Sequence, residues 1–147
     1  MKRYISLLLF LLLPISVFGQ NVWGTPNYGE IDLDSGFLPD PWTKSLVAGG
    51  SEDIDHLGYS GFVSDSPDID LYYDSGSYNF LTFSVESDED TILLINTPEG
   101  EWMYDDDSDG LDPEISVFYP TSGLYNIWVG TYDRNTTDAV LYVSESE

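Results

Sequence analysis

The sequence predicts an all-β chain folded as an antiparallel β-sandwich of jelly-roll type. Three observations lead there. Apolar, β-branched and aromatic residues come in short runs, each closed by a cluster of Gly, Pro, Asn, Asp or Ser. No run sustains a helical apolar period. Two runs alternate along their length, Phe80, Thr82 and Ser84 against Leu81, Phe83 and Val85, and Tyr125, Ile127 and Val129 against Asn126, Trp128 and Gly130, as strands with one well-buried face do.

In chain order, Met1-Lys2-Arg3 is a basic stub, Ile5 to Leu13 an apolar run, and Ser16 to Gly19 supplies small residues at a cleavage position. Residues 1–19 therefore read as a secretory signal cut before Gln20, too short for the roughly 18 to 20 apolar residues of a membrane helix. Residues 20–27, rich in Asn, Gly and Pro without periodicity, read as a mobile leader. A single sandwich domain is expected over residues 28–145, with strands at Gly29–Asp34, Trp42–Ala48, Ile69–Tyr73, Asn79–Val85, Thr91–Asn96, Trp102–Tyr104, Glu114–Phe118, Tyr125–Tyr132 and Ala139–Ser144. Ser144 to Glu147 reads as a short acidic tail.

Pro98-Glu99-Gly100 reads as a tight turn joining two of these strands, with Gly free to take a positive φ. Placing Asn96 opposite about Glu101 sets Thr91 opposite about Asp106. The Asp88-Glu89-Asp90 loop then lies beside Asp105–Asp109, and two acidic loops at one end of a sandwich repel unless a cation sits between them.

Charge narrows the function. The chain has 27 Asp and Glu, 4 Lys and Arg, one His and no Cys. Removal of residues 1–19 takes Lys2 and Arg3 with it and leaves 128 residues with a net charge of about −25. Such a polyanion repels nucleic acid and anionic lipid, so neither is an expected partner, membrane insertion is not expected, and the natural small partner is a cation. No disulfide is possible, but a chain of this length buries about two-thirds of its unfolded surface and can build a core without one. Acidic chains are often disordered; the 4 Trp, 10 Tyr and 5 Phe beyond residue 19 argue against that here.

Asp105-Asp106-Asp107-Ser108-Asp109-Gly110 contains D-x-D-x-D-G, the opening of a calcium loop, in which alternate carboxylates wrap a hard cation and Gly permits the sharp bend. An EF-hand is rejected, because the twelfth position is Ser116 and a strand follows Pro113. The shell could be completed by Asp112, Glu114, or Asp88 and Asp90 from across the hairpin. Calcium held by Asp105, Asp106, Asp107, Asp109, Asp112, Asp88 and Asp90 is the expectation; a solvated acidic turn is the alternative. With no Cys and His56 alone to offer nitrogen, zinc and copper are not expected.

Catalysis is not expected either. His56 lies in a polar run, no Ser sits in a nucleophile motif, and so many carboxylates make any one pair uninformative for glycoside hydrolysis. Trp102 and Tyr104, beside the acidic loop, are the aromatics expected to be exposed and able to bind a polysaccharide, against a packing role for aromatics in general. Asn135-Thr136-Thr137 is a glycosylation sequon within a hairpin loop.

A family resemblance follows from residues already named. Gly36-Phe37-Leu38-Pro39-Asp40-Pro41, Ala48-Gly49-Gly50, Pro67-Asp68 before Leu71-Tyr72-Tyr73, Asp90 to Ile95, Pro98 to Trp102, Asp106-Asp107-Ser108, Gly110 to Pro113, and Ser122 to Tyr132 together resemble the bacterial pre-peptidase C-terminal domain and its stand-alone relatives, over about Tyr28 to Val143. The resemblance implies an exported β-sandwich, calcium-dependent in related domains, often attached to secreted proteases and not itself catalytic. Several relatives carry a Cys pair where this chain has Tyr59 and Tyr104, so that link must come from aromatic packing or bound metal. No peptidase accompanies the domain. The function expected is thus a secreted, extracellular or cell-surface, calcium-binding module that binds or self-assembles into a filament or matrix; a carbohydrate-binding module or an accessory domain for a separate peptidase is the alternative.

Overall fold

A computed structural model describes residues 20–146, and the expected secretory signal lies outside the described residues. Eleven strands follow one another: β1 (Glu30–Asp34), β2 (Trp42–Gly49), β3 (Glu52–Asp53), β4 (Phe62–Val63), β5 (Ile69–Asp74), β6 (Phe80–Ser87), β7 (Thr91–Asn96), β8 (Trp102–Asp105), β9 (Glu114–Phe118), β10 (Gly123–Thr131) and β11 (Thr136–Ser144). All nine expected strands form, two of them, β7 and β9, with the expected bounds. The unforeseen β3 and β4 are two residues each, a length at which alternation has nothing to show.

One sheet runs β2-β11-β6-β9, antiparallel throughout. The other is centred on β10, which pairs with β7 along one side and with β5 and then β4 along the other. β8 lies beyond β7, β3 beyond β4, and β1 beyond β5. The β1–β5 pair is parallel, with Glu30 opposite Asp70, a departure from the all-antiparallel expectation. Between the sheets Phe83, Val85, Leu141 and Val143 meet Leu71, Leu93, Tyr125, Ile127 and Val129 in the main core.

Alternation along β10 suggests one buried face, yet Asn126, Trp128 and Gly130 on the other face are buried as well. The outer face carries a second apolar cluster of Ile54, Val63, Ile92, Leu94 and Trp128, against which Val22, Leu57, Tyr59, Trp102 and Tyr104 pack. Its cover comes from β3, β4, the single 3-10 turn at Asp55–Leu57, and the N-terminal segment. Residues 20–27 are therefore not the mobile leader expected. Asn21 N–H donates to the Asp65 carbonyl (3.2 Å), Asn27 N–H to that of Pro67 (2.9 Å) and Tyr28 N–H to that of Asp68 (2.8 Å). Val22 supplies the apolar contact, and a lone hydrophobe gives no periodic signal by which a sequence could announce it. Glu145, expected in an acidic tail, is likewise buried; its Oε1 accepts the Tyr73 hydroxyl (2.6 Å) and its Oε2 the Gly36 N–H (2.7 Å).

Asp68 fastens the N-terminal segment to the sheet. Only 2% exposed, its carboxylate accepts the Val129 N–H (2.8 Å), the Asn27 amide (3.1 Å) and the Ser64 hydroxyl (3.4 Å). Burial pushes its pKa up to about 6, more than these bonds pull it down. The native state therefore binds this proton more readily than the unfolded chain does. The stability it adds is complete below about 3.8 and lost as pH rises through about 6.

The aromatic packing expected between Tyr59 and Tyr104 forms. Tyr59 and Tyr104 stack with centroids 4.7 Å apart and planes 8° from parallel. Each ring is also tied across: Tyr59 donates to the Trp102 carbonyl (3.3 Å) and Tyr104 to that of Ser60 (2.7 Å). The stack pins the segment after the 3-10 turn onto the outer edge of β8.

Two outcomes are expected. Unfolding free energy should rise as pH is lowered from 7 toward 5, by about 1 kcal/mol from this group, and Asp68→Asn should flatten that part of the profile; equal slopes in the two proteins would remove Asp68 from the account. In urea, Tyr59→Ala and Tyr104→Ala should each cost about 2 kcal/mol, with a coupling of about 1 kcal/mol in the double mutant; strictly additive losses would mean that the stack contributes nothing of its own.

Candidate functional site

The acidic loops converge at one end of the β10 sheet because the chain enters and leaves that end several times. Thr91 N–H, at the start of β7, donates to the Leu111 carbonyl (3.3 Å), and Tyr132 N–H, just past β10, donates to the Asp90 carbonyl (3.1 Å). Asp90 thus lies between the loop after β8 and the loop after β10. Burial raises its pKa, and the charges of Asp107, Asp106 and Asp133 raise it further. Its Oδ1 is buried with no hydrogen-bond partner, and so is the hydroxyl of neighbouring Thr91.

The expected ligand set divides under this geometry. Asp106 and Asp107 lie near enough to Asp90 for their charges to act on its carboxyl. Asp105 turns its Oδ2 inward to accept the N–H groups of Ser108 (3.2 Å) and Glu114 (2.9 Å), so it shapes the loop. Asp112 accepts the Ser87 N–H (3.1 Å) through Oδ1. Asp109 and Asp112 exchange backbone bonds of 2.9 and 3.2 Å across a bend that Gly110 makes at a φ of 73°. Exposed Asp88 lines a different hollow, of about 670 Å³, with Glu86, Asp112 and Asp138 on the outer side of the other sheet. Asp133 was not foreseen. It enters because β10 pairs with β7, Thr131 opposite Thr91, and no local signal encodes that pairing.

Do these residues fit calcium? An orphaned, buried oxygen on a carboxyl that feels the charges of three others is the environment a hard cation relieves. Among the described residues, however, no three acidic or His side chains are grouped closely enough to hold a metal ion. Coordination would draw the side chains of Asp106, Asp107 and Asp133 inward toward Asp90.

The hairpin register differs by one residue from expectation. Pro98-Glu99-Gly100 forms a three-residue loop flanked by Thr97 and Glu101, with Gly100 at a φ of 82°, so Asn96 faces Trp102 and Leu93 faces Asp105, where the ladder stops. A slip of one residue exchanges faces. Trp102 consequently turns onto the outer cluster, half-buried against Trp128 with centroids 5.5 Å apart, and Tyr104 is half-buried against Tyr59. Both line a hollow of about 420 Å³ with Tyr59, Met103, Asp105 and Glu114. The conspicuously exposed aromatics are Trp23 and Tyr119.

His56 lies exposed in the 3-10 turn, its Nδ1 3.1 Å from the Asp53 carbonyl oxygen. Arg134 is over the Phe62 ring at 4.7 Å, and Asn135 is exposed in the loop before β11. No helix among the described residues is long and apolar enough to cross a membrane.

No protein-family model matches the chain, and no curated protein matches it. Among solved structures it is similar to the pre-peptidase C-terminal domain of collagenase from Bacillus anthracis, with a TM-score of 0.50 and 13% identity over 78% of this chain and 94% of that one. The periplasmic inhibitor of g-type lysozyme from Aeromonas hydrophila, PliG, gives a TM-score of 0.38 and 15% identity over 78% of this chain and 96% of that one. The collagenase domain has the β-sandwich that the sequence resemblance implies, and at this identity the likeness is one of fold.

Proposed function

We propose that this chain is a non-catalytic β-sandwich binding module of the extracellular or periplasmic space, stabilised by calcium at its acidic end. One observation supports the calcium reading: the buried, unpartnered Oδ1 of Asp90, a carboxyl on which the charges of Asp107, Asp106 and Asp133 act. These four carboxylates would hold the ion, while Asp105 and Asp112 keep the loops in shape. Bound calcium offsets the repulsion among the four and orders the loops around Asp90 and Asp107. Export is supported by the signal-like residues 1–19 and by the family resemblance.

Among surface roles, self-assembly could use the N-terminal segment as a strand given to a neighbouring copy, but that segment is docked on its own sheet, and polysaccharide binding through Trp102 finds the indole packed against Trp128. The module role itself depends on neither.

In calcium rather than chelator the melting midpoint should rise by about 5 to 10 °C at saturating ion. Asp90→Asn and Asp107→Ala should abolish the rise, whereas Asp105→Ala should lower the midpoint both with and without calcium. Identical midpoints for the wild-type chain in calcium and in chelator would overturn the assignment.

A further inference from the structure

Trp23 is 90% exposed, yet the backbone that carries it is fixed. Gly24 N–H closes a turn on the Asn21 carbonyl (3.0 Å), Val22 packs on the outer apolar cluster, and the Val22 carbonyl accepts the Asn126 amide (3.3 Å). An indole held in water on a rigid turn forgoes the burial that large aromatics normally gain, which is the signature of a recognition residue.

What surrounds it defines the ligand. A hollow of about 260 Å³ on one side is lined by Glu30, Asp70 and half-exposed Tyr72. On the other side a hollow of about 330 Å³ is lined by Asn96, Glu99 and Asn126, and Leu124 borders both. Asp70 is only 6% exposed; Asn126 donates to its Oδ1 (2.8 Å), which leaves Oδ2 as an acceptor. Every charged group lining the two hollows is acidic. The basic side chains of the described residues, Lys44 and Arg134, belong to β2 and to the loop after β10. A flat aromatic face beside carboxylates matches a guanidinium, which stacks on the ring while its fork of N–H groups meets the acceptors.

We propose that Trp23, Tyr72, Glu30 and Asp70 form a binding site for an arginine side chain displayed by a basic protein partner. The chain's strong negative field steers such a partner in, and Trp23 is the anchor on which it seats. This inference rests on the binding-module reading but not on calcium, because the site lies at the opposite end of β7 and β10 from the acidic loops.

Titration calorimetry of residues 20–147 at physiological salt, with an arginine-rich peptide, its lysine counterpart and a neutral oligosaccharide as probes, tests it. Trp23→Ala leaves the net charge untouched and should weaken the arginine peptide roughly tenfold. Glu30→Gln should weaken it less, the lysine peptide should bind more weakly than the arginine one, and Tyr132→Ala, which removes an exposed ring at the opposite end of β10, should change nothing. An unaltered melting midpoint would show Trp23→Ala folded. Arginine-peptide binding equal in the wild type and Trp23→Ala would reduce the attraction to diffuse charge and overturn the proposal. Oligosaccharide binding that disappears in Trp23→Ala while the arginine peptide is unaffected would overturn it in favour of a glycan site. Running each titration in calcium and in chelator separates failure here from failure of the calcium reading.

Discussion

A buried carboxylate that no cation reaches, that of Asp68, decides how the N-terminal third of the fold is put together. Lys44 and Arg134 are the basic side chains of the described residues, and Arg134 is spent on the Phe62 ring. Buried acids must therefore find neutral donors or stay uncharged. Asp68 draws in Asn27, Ser64 and the Val129 N–H; Asp70 takes the Asn126 amide; Glu145 takes Tyr73 and Gly36. All of these bonds except that from Ser64 join segments far apart in sequence. In a chain so poor in Lys and Arg, carboxylates serve as acceptor staples where other proteins would use ion pairs or, with oxidised Cys, disulfides.

The staples explain why β7 and β10 are buried on both faces. Asp68 holds the N-terminal segment against the outer side of the sheet, and the Tyr59–Tyr104 stack holds the segment that follows the 3-10 turn there too. With both covers in place, Trp128, Ile92 and Leu94 form a second core. The doubly covered strands make a rigid bar whose two ends differ: the acidic loops meet at the Thr91 and Thr131 end, and Trp23 is displayed near Asn96 and Leu124 at the other. The proposed calcium site and the proposed arginine site are thus separated by the length of one strand pair, so that either can be altered without the other.

Much of the fold was legible in the sequence. Runs such as Thr91–Asn96 and Glu114–Phe118 carry enough β-branched and apolar residues between turn formers to locate the strands. The acidic turn at Asp105–Gly110 was legible as well, along with its nearness to Asp90. What was not legible was pairing. Counting across the Pro98–Gly100 loop missed by one residue, and Trp102 is half-buried because Val22, Leu57 and Tyr59 cover the face on which it lies. Asp133 joined the acidic end through a ladder whose partners are 40 residues apart, Thr91 and Thr131.

The sequence by itself determined the element types, the excess of negative charge, the absence of disulfides and the sharp bend at Gly110, because each follows from local residue chemistry. Tertiary structure alone decided which carboxylates become staples and which gather at the acidic end, where Asp90 is left without a donor for Oδ1. It also decided that residues 20–27 dock, and that Trp23, not Trp102, stands in solvent. The physical reason is the same throughout: a side chain's fate depends on the face and neighbour that long-range strand pairing gives it, and a strand's alternation records that it has two faces without recording what will cover each.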